Sequence, residues 1–372
     1  MIRLLHLADV HLGRPFQMLG EKGAAQRRAL EEALARAVDL AIAEGVHLVL
    51  IAGDLFDSAK PSPATVAVAA RELRRLDEAG IRVALVAGNH DVTSDGRLAA
   101  EEALREANPR ALLLGPEVER HTLPDLDLTL VGRSPAPGAA ASPLAGWPRE
   151  RTTAFAVGLT HGSCYRAGVV EGPAVIHPQE IRLLGLDYLA LGDWHSALEV
   201  HGPPHPAWYA GAPELLAYDQ EGAGHVLLVD LPAPGSARVT PHRVGRRHYR
   251  RLELDLARTD DEGVRKAIEA AADPDAVCDV VLGGLVPVSR VVAARTLEEE
   301  FADRFFRLRV SNRTHLWLDE AQLAALPADT VLGRFVRVMR QRLTEVPEDR
   351  RPVLEAALQL GVALLQGREV LG

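Results

Sequence analysis

Four short apolar runs in this 372-residue chain each end at a small residue that is followed at once by side chains able to bind metal. The runs cover residues 4–8, 49–53, 83–88 and 188–192, and a shorter copy covers 157–160. Continuous apolar runs of this length are typical of strands buried on both faces. Because ligands of open α/β sheets gather at the carboxyl ends of the strands, we expect one edge of one sheet to collect the polar residues that follow. These residues are Asp9, His11, Asp54, Asn89, His90, His161, Asp193 and His195.

Helical periodicity fills the intervals between the first three runs. Apolar residues recur at helical spacing over 25–44 and again over 63–79. This alternation of strand and helix indicates an α/β fold with parallel strands. The run 225–231 is predicted to be the final strand of the sheet. We therefore expect a first domain over residues 1–240.

The rest of the sequence predicts two further domains. Alternating and then helical apolar patterns indicate a small α+β domain over residues 245–320. Its predicted elements are strands 249–256, 277–286 and 304–311 and a helix 261–272. Apolar residues on one face of 330–343 and of 352–366 predict a pair of amphipathic helices in residues 325–372.

The polar residues at the strand ends suit a pair of metal ions. Asp9 and His11 are two residues apart, so their side chains leave a strand end on the same face. Taken singly, each motif has an ordinary structural explanation, such as a capping Asp or a tight turn at Asn89. Together, carboxylates, an amide and imidazoles without thiolates suit Mn²⁺ or Fe²⁺ better than structural zinc. A bridging carboxylate, for which Asp54 is the candidate, suits two ions about 3.5 to 4 Å apart.

The ordered motifs resemble those of a known superfamily. They are Asp9-x-His11, Gly53-Asp54, Gly88-Asn89-His90-Asp91, His161-Gly162 and Gly192-Asp193-x-His195. Together they are similar to the calcineurin-like metallophosphoesterase superfamily, and residues 5–13 and 55–57 are similar to its DNA-repair nuclease branch, which contains bacterial SbcD. The resemblance implies a β-sandwich flanked by helices in four layers, α/β/β/α. It also implies a small α+β capping domain and a C-terminal helical pair.

The resemblance also implies a role for each motif residue. Asp9, His11 and His195 would hold the first ion. Asp54 would bridge, and Asn89 and His161 would hold the second ion. The remaining second-ion ligand in the nuclease branch is usually a His, and here that position is Asp193. Either Asp193 binds directly through oxygen, which we favour, or it is too short and a water, His201 or His205 completes the set.

The activity implied is that of a binuclear-metal-dependent DNA phosphodiesterase in DNA repair, an exonuclease, a single-strand endonuclease or both. Two ions lower the pKa of a water that they share, so hydroxide attacks phosphorus in line. Mn²⁺ is the expected metal, with Fe²⁺, Mg²⁺ and Zn²⁺ as alternatives. His90 is assigned to stabilise or protonate the leaving oxygen, with Asp91 as its orienter.

Partners are predicted from the later segments. The basic stretch 242–251 is either a solvated linker or a DNA contact surface. The candidate contacts in it are Arg246, Arg247, Tyr249 and Arg250. In the family a helical tail binds the coiled-coil base of an SMC-like ATPase, although the helices here can equally pack on their own capping domain. Family nucleases also tend to form homodimers.

Charge and hydropathy restrict the other classes of function. A formal net charge of −9 argues against a protein that binds polyanions over its whole surface. The sequence contains neither a signal peptide nor a membrane span, so we expect a cytoplasmic, nucleoid-associated protein. Two alternatives remain open at this point. One is a phosphodiesterase of the same superfamily acting on small molecules, and the other is a weakly active scaffold subunit.

Overall fold

The computed structural model describes residues 1–136, 138, 140–166, 170, 174–217, 220–287, 292–317 and 326–365. The chain divides into two compact units, Met1–His248 and Tyr249–Gly372. The predicted separation of the later part into residues 245–320 and 325–372 stays a prediction. None of the described helices is long and apolar enough to cross a membrane.

The first unit alternates strands with helices. Its strands are β1 (Ile2–Leu7), β2 (Leu48–Ala52), β3 (Arg82–Val86), β4 (Leu112–Leu114), β5 (Glu119–Leu123), β6 (Leu128–Arg133), β7 (Phe155–His161), β8 (Tyr188–Gly192), β9 (Leu198–His201), β10 (Ala207–Tyr209), β11 (His225–Leu231) and β12 (Arg238–Arg243). Its helices are α1 (Gly23–Ala43), α2 (Pro63–Glu78), α3 (Glu101–Ala107) and α4 (Pro178–Leu184). Short 3₁₀ turns cover Gln17–Lys22 and Pro124–Leu126.

The strands form two six-stranded sheets. The first has the order β12-β11-β1-β2-β3-β4 and the second β5-β6-β7-β8-β10-β9. In the first, β1 to β4 run parallel, while β11 and β12 join antiparallel to their neighbours. In the second, β6, β7, β8 and β10 run parallel, with β5 and β9 antiparallel at the edges.

The expectation that one sheet collects all the apolar runs is therefore wrong. Runs 157–160 and 188–192 become β7 and β8 of the second sheet, because the β5–β6 hairpin starts a new sheet instead of extending the first one past β4. An apolar run predicts burial on both faces but carries no information about which strand lies beside it. The superfamily resemblance does imply this two-sheet arrangement, and the structure confirms it.

Four layers account for the continuous apolar runs. The two inner sheet faces pack on each other through Leu4, Leu50, Val86, Leu130, Val157 and Tyr188. The outer face of the first sheet packs on α1, α2 and α3 through Leu5, Val49, Leu85, Leu34, Leu73 and Leu104. The outer face of the second sheet packs on α4 through Leu189, Leu191, Ile181 and Leu184. Each central strand thus has apolar neighbours on both faces, which confirms the predicted α/β/β/α layering.

Local signals explain where several elements begin and end. Helix α2 begins where Ser62 accepts a hydrogen bond from the Thr65 amide at 3.2 Å and Pro63 occupies the first helical position. The predicted helices 25–44 and 63–79 correspond to α1 and α2. The run 225–231 is strand β11 but is not the final strand, because β12 pairs with it.

The second unit is an α+β structure, as expected. Its strands are β13 (His248–Asp255, which begins at the last residue of the first unit), β14 (Asp273–Gly283), β15 (Leu285–Pro287), β16 (Phe305–Asn312) and β17 (His315–Trp317). Its helices are α5 (Asp261–Ala270), α6 (Ala294–Phe301), α7 (Val331–Glu345) and α8 (Arg351–Leu365). Short 3₁₀ turns cover Ala302–Arg304 and Glu348–Arg350. The sheet has the order β13-β14-β16, while β15 and β17 form a separate parallel pair.

Two apolar clusters stabilise the second unit. Val264 and Ile268 of α5 and Leu297 of α6 pack with the sheet residues Val280 and Leu282. Helices α7 and α8, the predicted helical pair, pack on each other through Val336, Leu358 and Val362. Gln366, the predicted last residue of the second helix, lies outside the described residues.

Candidate metal centre

The turn after β1 and the turn after β2 are bonded to each other. The Asp9 amide donates to the Gly53 carbonyl at 3.1 Å, and the His11 amide donates to the Asp54 carbonyl at 2.9 Å. Asp9, His11 and Asp54 all have left-handed backbone conformations, with φ values of 53°, 51° and 51°. L residues adopt this conformation at a cost of roughly 1–2 kcal/mol each. These bonds therefore stabilise a backbone path that the residues would not adopt alone.

Two glycines let strand ends approach closely, Gly88 within the first sheet and Gly192 between the two sheets. A Cβ atom on Gly88 would overlap the carboxylate of Asp54. A Cβ atom on Gly192, at the end of β8, would overlap the carbonyl oxygen of Ala52, at the end of β2. Only glycine fits at such approaches. The metal-binding side chains that follow β8 can therefore reach those that follow β1 and β2, although they belong to different sheets.

The first predicted ligand set lies together. Asp9, His11 and His195 offer ligand atoms that all lie within 4.8 Å of one another. The His11 ring is buried, and its Nδ1 lies 3.0 Å from Oδ1 of Asp57. Its Nε2 is buried with no hydrogen-bond partner among the described residues and lies 3.5 Å from Oδ2 of Asp54. A metal ion would satisfy this nitrogen, because a buried polar atom without a partner is costly.

The second predicted set surrounds one nitrogen of His161. Nδ1 of His161 donates to the Ala52 carbonyl at 2.9 Å, which leaves Nε2 with its lone pair in the neutral ring. That Nε2 lies 2.9 Å from Oδ1 of Asn89, 3.7 Å from Oδ2 of Asp54 and 3.8 Å from Oδ1 of Asp193. A proton on the ring or a metal ion among these atoms would make the contacts of this nitrogen with the three oxygens favourable. The donor set fits a divalent cation.

The position of Asp193 bears on the open question of the last ligand. Its backbone amide donates to the Asp9 carboxylate at 3.0 Å, and its Oδ2 accepts a hydrogen bond from the Ser163 hydroxyl. Its Oδ1 therefore points into the cluster. By contrast, Nδ1 of His201 contacts the His205 carbonyl at 2.9 Å, and Nδ1 of His205 contacts the Leu186 carbonyl at 2.9 Å. Among the described residues, Asp193 contacts the cluster through the Asp9 carboxylate and His161, which favours it over the two histidines.

Burial and crowding shift the acid–base properties of the cluster. Burial raises the pKa of Asp9 to about 7, and the Asp54 and Asp193 carboxylates add to the shift against the opposing His161. Burial alone would lower the pKa of His161, yet Asp54, Asp9 and Asp193 raise it overall. Burial, with His11 and Arg14, lowers the pKa of His195 to about 4. Carboxylates buried this closely need compensating cations.

Asn89 and His90 lie on an exposed turn that two carboxylates anchor. Oδ1 of Asp54 accepts from the His90 amide at 2.8 Å, and the His90 ring lies 4.7 Å from the His11 ring between centroids. Asp91 is buried, with its pKa raised to about 6 by burial, and accepts from the amides of Gly88 and Phe56 at 2.7 and 3.1 Å. Asp91 therefore positions the turn through its backbone.

The four candidate DNA contacts differ in exposure. Arg246 and Arg250 are exposed and Tyr249 is half-buried, while Arg247 is only 6% exposed. The amides of Arg246 and Arg247 donate to the buried Glu214 carboxylate at 2.7 and 3.0 Å. Arg250 donates to the Ala271 carbonyl at 3.2 Å. The burial of Arg247 was not anticipated from the basic character of the segment.

Three residues of the site were missed by sequence reasoning. Asp57 bonds His11, Ser163 bonds Asp193, and Gln220 Nε2 lies 2.9 Å from Nδ1 of His195. Asp57 follows Asp54 in the nuclease-like motif, so its position in the sequence was a usable signal. Ser163 and Gln220 stand in unremarkable loops, and only the fold brings them to their partners.

Two helix-flanked sheets with carboxylates and imidazoles converging at their strand ends define a metallophosphoesterase. Residues 2–197 match the family model for calcineurin-like phosphoesterases, and the chain belongs to that family. The superfamily resemblance of the motifs is thereby confirmed.

Several curated proteins are similar to this chain. The DNA double-strand break repair protein Mre11 of Sulfurisphaera tokodaii is 25% identical over 356 residues, which cover 90% of this chain and 87% of the relative. The D component of nuclease SbcCD from Rhodobacter capsulatus is 27% identical over 290 residues, covering 64% and 69%. The Mre11 protein of Saccharolobus solfataricus is 32% identical over 91 residues, so the match spans only 24% of this chain and 23% of that relative.

Proposed function

We propose that this protein is a two-metal DNA phosphodiesterase, a nuclease of the Mre11 and SbcD type that acts in DNA repair with Mn²⁺. The observation that carries the proposal is the convergence of His11 Nε2 and His161 Nε2 on the shared carboxylate of Asp54, at 3.5 and 3.7 Å. One carboxylate between two imidazole nitrogens is an arrangement that suits a pair of divalent ions. The names of the relatives support DNA as the substrate.

In this proposal the residues divide between two ions. Asp9, His11 and His195 would hold the first ion, Asn89, His161 and Asp193 would hold the second, and Asp54 would be shared by both. When bound, the two ions supply an activated water near neutral pH and neutralise charge on the phosphate. Mn²⁺ suits the mixed oxygen and nitrogen donors, as do Fe²⁺, Mg²⁺ and Zn²⁺ to differing degrees.

The chain's own residues orient the ligands and handle the proton. Asp57 accepts the Nδ1 proton of His11, so that Nε2 faces Asp54. The Ala52 carbonyl does the same for His161. His90 is exposed beside His11 and protonates the leaving oxygen. Asp91 positions His90 by bonding the amide of Gly88, at the start of the turn.

A cleavage assay tests the proposal. The purified protein with Mn²⁺ is expected to cut linear and single-stranded DNA at a rate that EDTA abolishes, with far higher kcat/KM than for a small chromogenic diester. His90→Ala is expected to lower the cleavage rate by roughly 10²- to 10⁴-fold while metal stoichiometry stays at two. Hydrolysis of the small diester with DNA untouched would instead assign the protein to small-molecule phosphodiesterases. Metal binding without hydrolysis would leave only a scaffold role.

We extend the proposal to DNA contacts in the basic segment. Arg246 and Arg250, the exposed members, would contact backbone phosphates, with Tyr249 beside them and Arg247 ordering the segment. Replacing Arg246 and Arg250 by Gln should lower DNA affinity. It should also reduce the slope of log affinity against log salt concentration by the amount expected for about two phosphate contacts.

We also propose that helices α7 and α8 bind an SMC-like ATPase. One relative is by name a component of a larger nuclease, SbcCD. Val331, Val338 and Val353 are exposed apolar side chains on the two helices, although most of the apolar face packs within the pair. Val353→Asp should weaken co-purification with such an ATPase without changing DNA cleavage by the isolated protein. Homodimer formation and a cytoplasmic location remain predictions.

A further inference from the structure

An exposed indole ring stands between two of the predicted metal ligands. Trp194 separates Asp193 from His195, and 38% of its surface is exposed. Large aromatic side chains are among the most buried on average. A tryptophan left open beside the candidate metal centre is therefore available to a ligand.

The guanidinium of Arg166 lies over this ring. Its Cζ atom is 5.2 Å from the centroid of the Trp194 ring, a cation–π contact. Arg166 is itself exposed. Indole and guanidinium thus offer an aromatic ring and a positive charge side by side, and we call this pair the Trp194–Arg166 platform.

Backbone bonds fix both halves of the platform relative to the metal ligands. The Gly162 amide donates to the Gly192 carbonyl at 3.1 Å, and the Ser163 hydroxyl donates to Asp193. Further along the same segment, the Cys164 amide donates to the Tyr209 hydroxyl at 2.8 Å, and the Arg166 amide donates to the Val170 carbonyl at 2.9 Å. The segment that carries Arg166 is thus bonded at two points, Gly162 and Ser163, to the segment that carries Trp194.

The chemistry of the platform selects one class of ligand. Every nucleobase has a π face that stacks on indole or on a guanidinium plane, and the neighbouring phosphate is attracted by the arginine charge. In the interior of a duplex the base faces are already stacked on one another, so a base there can use the platform only where it is unpaired. A second exposed ring, Tyr165, lies in the same segment, stacked on His177 with centroids 4.9 Å apart.

We propose that the Trp194–Arg166 platform binds an unpaired nucleobase next to the phosphodiester that is cut. This inference rests on the proposed function and deepens it: it names the two side chains that hold the unpaired base at the cleavage position. The platform binds and positions the substrate and takes no part in the bond-breaking step.

The test measures cleavage of substrates with an abasic residue by the metal-loaded wild-type protein and by its variants. Oligothymidylates that carry one abasic residue at successive positions are cleaved in Mn²⁺, and kcat/KM is measured for each. The wild-type protein should lose roughly tenfold at one position and less than twofold elsewhere, because stacking one base on an aromatic ring is worth about 5- to 150-fold in affinity. In Trp194→Ala, kcat/KM on the intact oligonucleotide should fall by a similar factor. Its kcat/KM on the abasic oligonucleotides should not depend on the abasic position. Trp194→Phe should retain most of the wild-type profile.

Two further variants separate stacking from structural damage. Arg166→Ala leaves residues 193–195 intact and should reduce the position-dependent loss. Leu198→Ala removes an apolar side chain that is also 38% exposed but has no ring, and it should keep the wild-type profile. An abasic profile that stays unchanged in both Trp194→Ala and Arg166→Ala, with DNA cleavage intact, overturns the platform alone. Absence of any DNA cleavage by the wild-type protein overturns the proposed function and the platform together.

Discussion

The two sheets contribute unequally to the candidate metal centre. The first-sheet edge, defined as Asp9, His11 and Asp54, is buried and bonded by its own backbone between β1 and β2. The second-sheet edge, defined as His161, Asp193 and His195, has one buried ligand and two that are half-buried. Asp193 and His195 also flank the exposed Trp194.

The difference indicates how such a centre can vary. Substitution at the first-sheet edge would disturb the carboxylate that we propose both ions share and a backbone that already adopts unfavourable φ values. The second-sheet edge is more open, and the departure from the nuclease pattern, Asp193, lies there. We infer that the first-sheet edge determines whether the reaction occurs and that the second-sheet edge determines metal preference and substrate.

The largest effect is expected at the centre of the first-sheet edge. Asp54→Asn removes the charge that faces both His11 and His161. Residues that only support a ligand typically cost up to roughly 100-fold, and we expect Asp54→Asn to lower the rate of Mn²⁺-dependent cleavage by more than that. Metal analysis should find fewer than two ions per chain. Asp95→Asn, at an exposed carboxylate, is the matched control and should keep both ions. Retention of two ions and full activity in Asp54→Asn would contradict the bridging role.

A change of metal preference is expected at the second-sheet edge. Asp193→His replaces a hard oxygen donor by an imidazole, so the ratio of activity with Zn²⁺ or Fe²⁺ to activity with Mn²⁺ should rise by about tenfold. Asp193→Ala should instead weaken binding of one ion and leave the other in place. Titration of each variant with the individual metals measures both effects. Identical metal profiles in Asp193→His, Asp193→Ala and the wild-type protein would show that Asp193 is not a ligand.

A smaller loss is expected from the residue that supports the first-sheet edge. Asp57 accepts from His11 at 3.0 Å and from Arg14 at 3.1 Å. Asp57→Asn weakens the first contact. Mutation of a supporting residue of this kind typically lowers metal affinity or activity by roughly 10- to 100-fold. Raising the Mn²⁺ concentration should recover much of the rate. A rate that stays low at saturating Mn²⁺ would assign Asp57 to catalysis instead of ligand orientation.

The smallest effect is expected from the corresponding support of the second-sheet edge. Ser163→Ala removes the hydroxyl that bonds Asp193, a contact worth about 1 kcal/mol or roughly fivefold in affinity. Titration of Asp57→Asn and Ser163→Ala with Mn²⁺ under the same conditions measures the loss of affinity in each variant. A loss in Ser163→Ala that exceeds the loss in Asp57→Asn would reverse the ranking of the two edges.

Some strands and helices could be predicted from the sequence, and others could not. The continuous apolar runs marked the positions of β1, β2, β3, β7 and β8. A strand that is buried on both faces needs a continuous apolar sequence. Helices α1 and α2 were predicted from helical spacing. Helix α4 was not, because it is only seven residues long, Pro178–Leu184, which is too short for a clear helical period. Its remaining signals are Pro178 at its start, the capping contact between His177 and Glu180, and Gly185 after its end.

By itself, the sequence determined the strand ends, the helices between them and the chemical types of the predicted ligands, since these depend on local periodicity and on the side chains themselves. The tertiary structure decided that the ligands come from two sheets, that Gly192 lets those sheets approach at Ala52, and that Asp57, Ser163 and Gln220 support the ligands. It also decided that Arg247 is buried and Trp194 is exposed. Such outcomes depend on contacts between residues far apart in the chain, which local patterns do not encode.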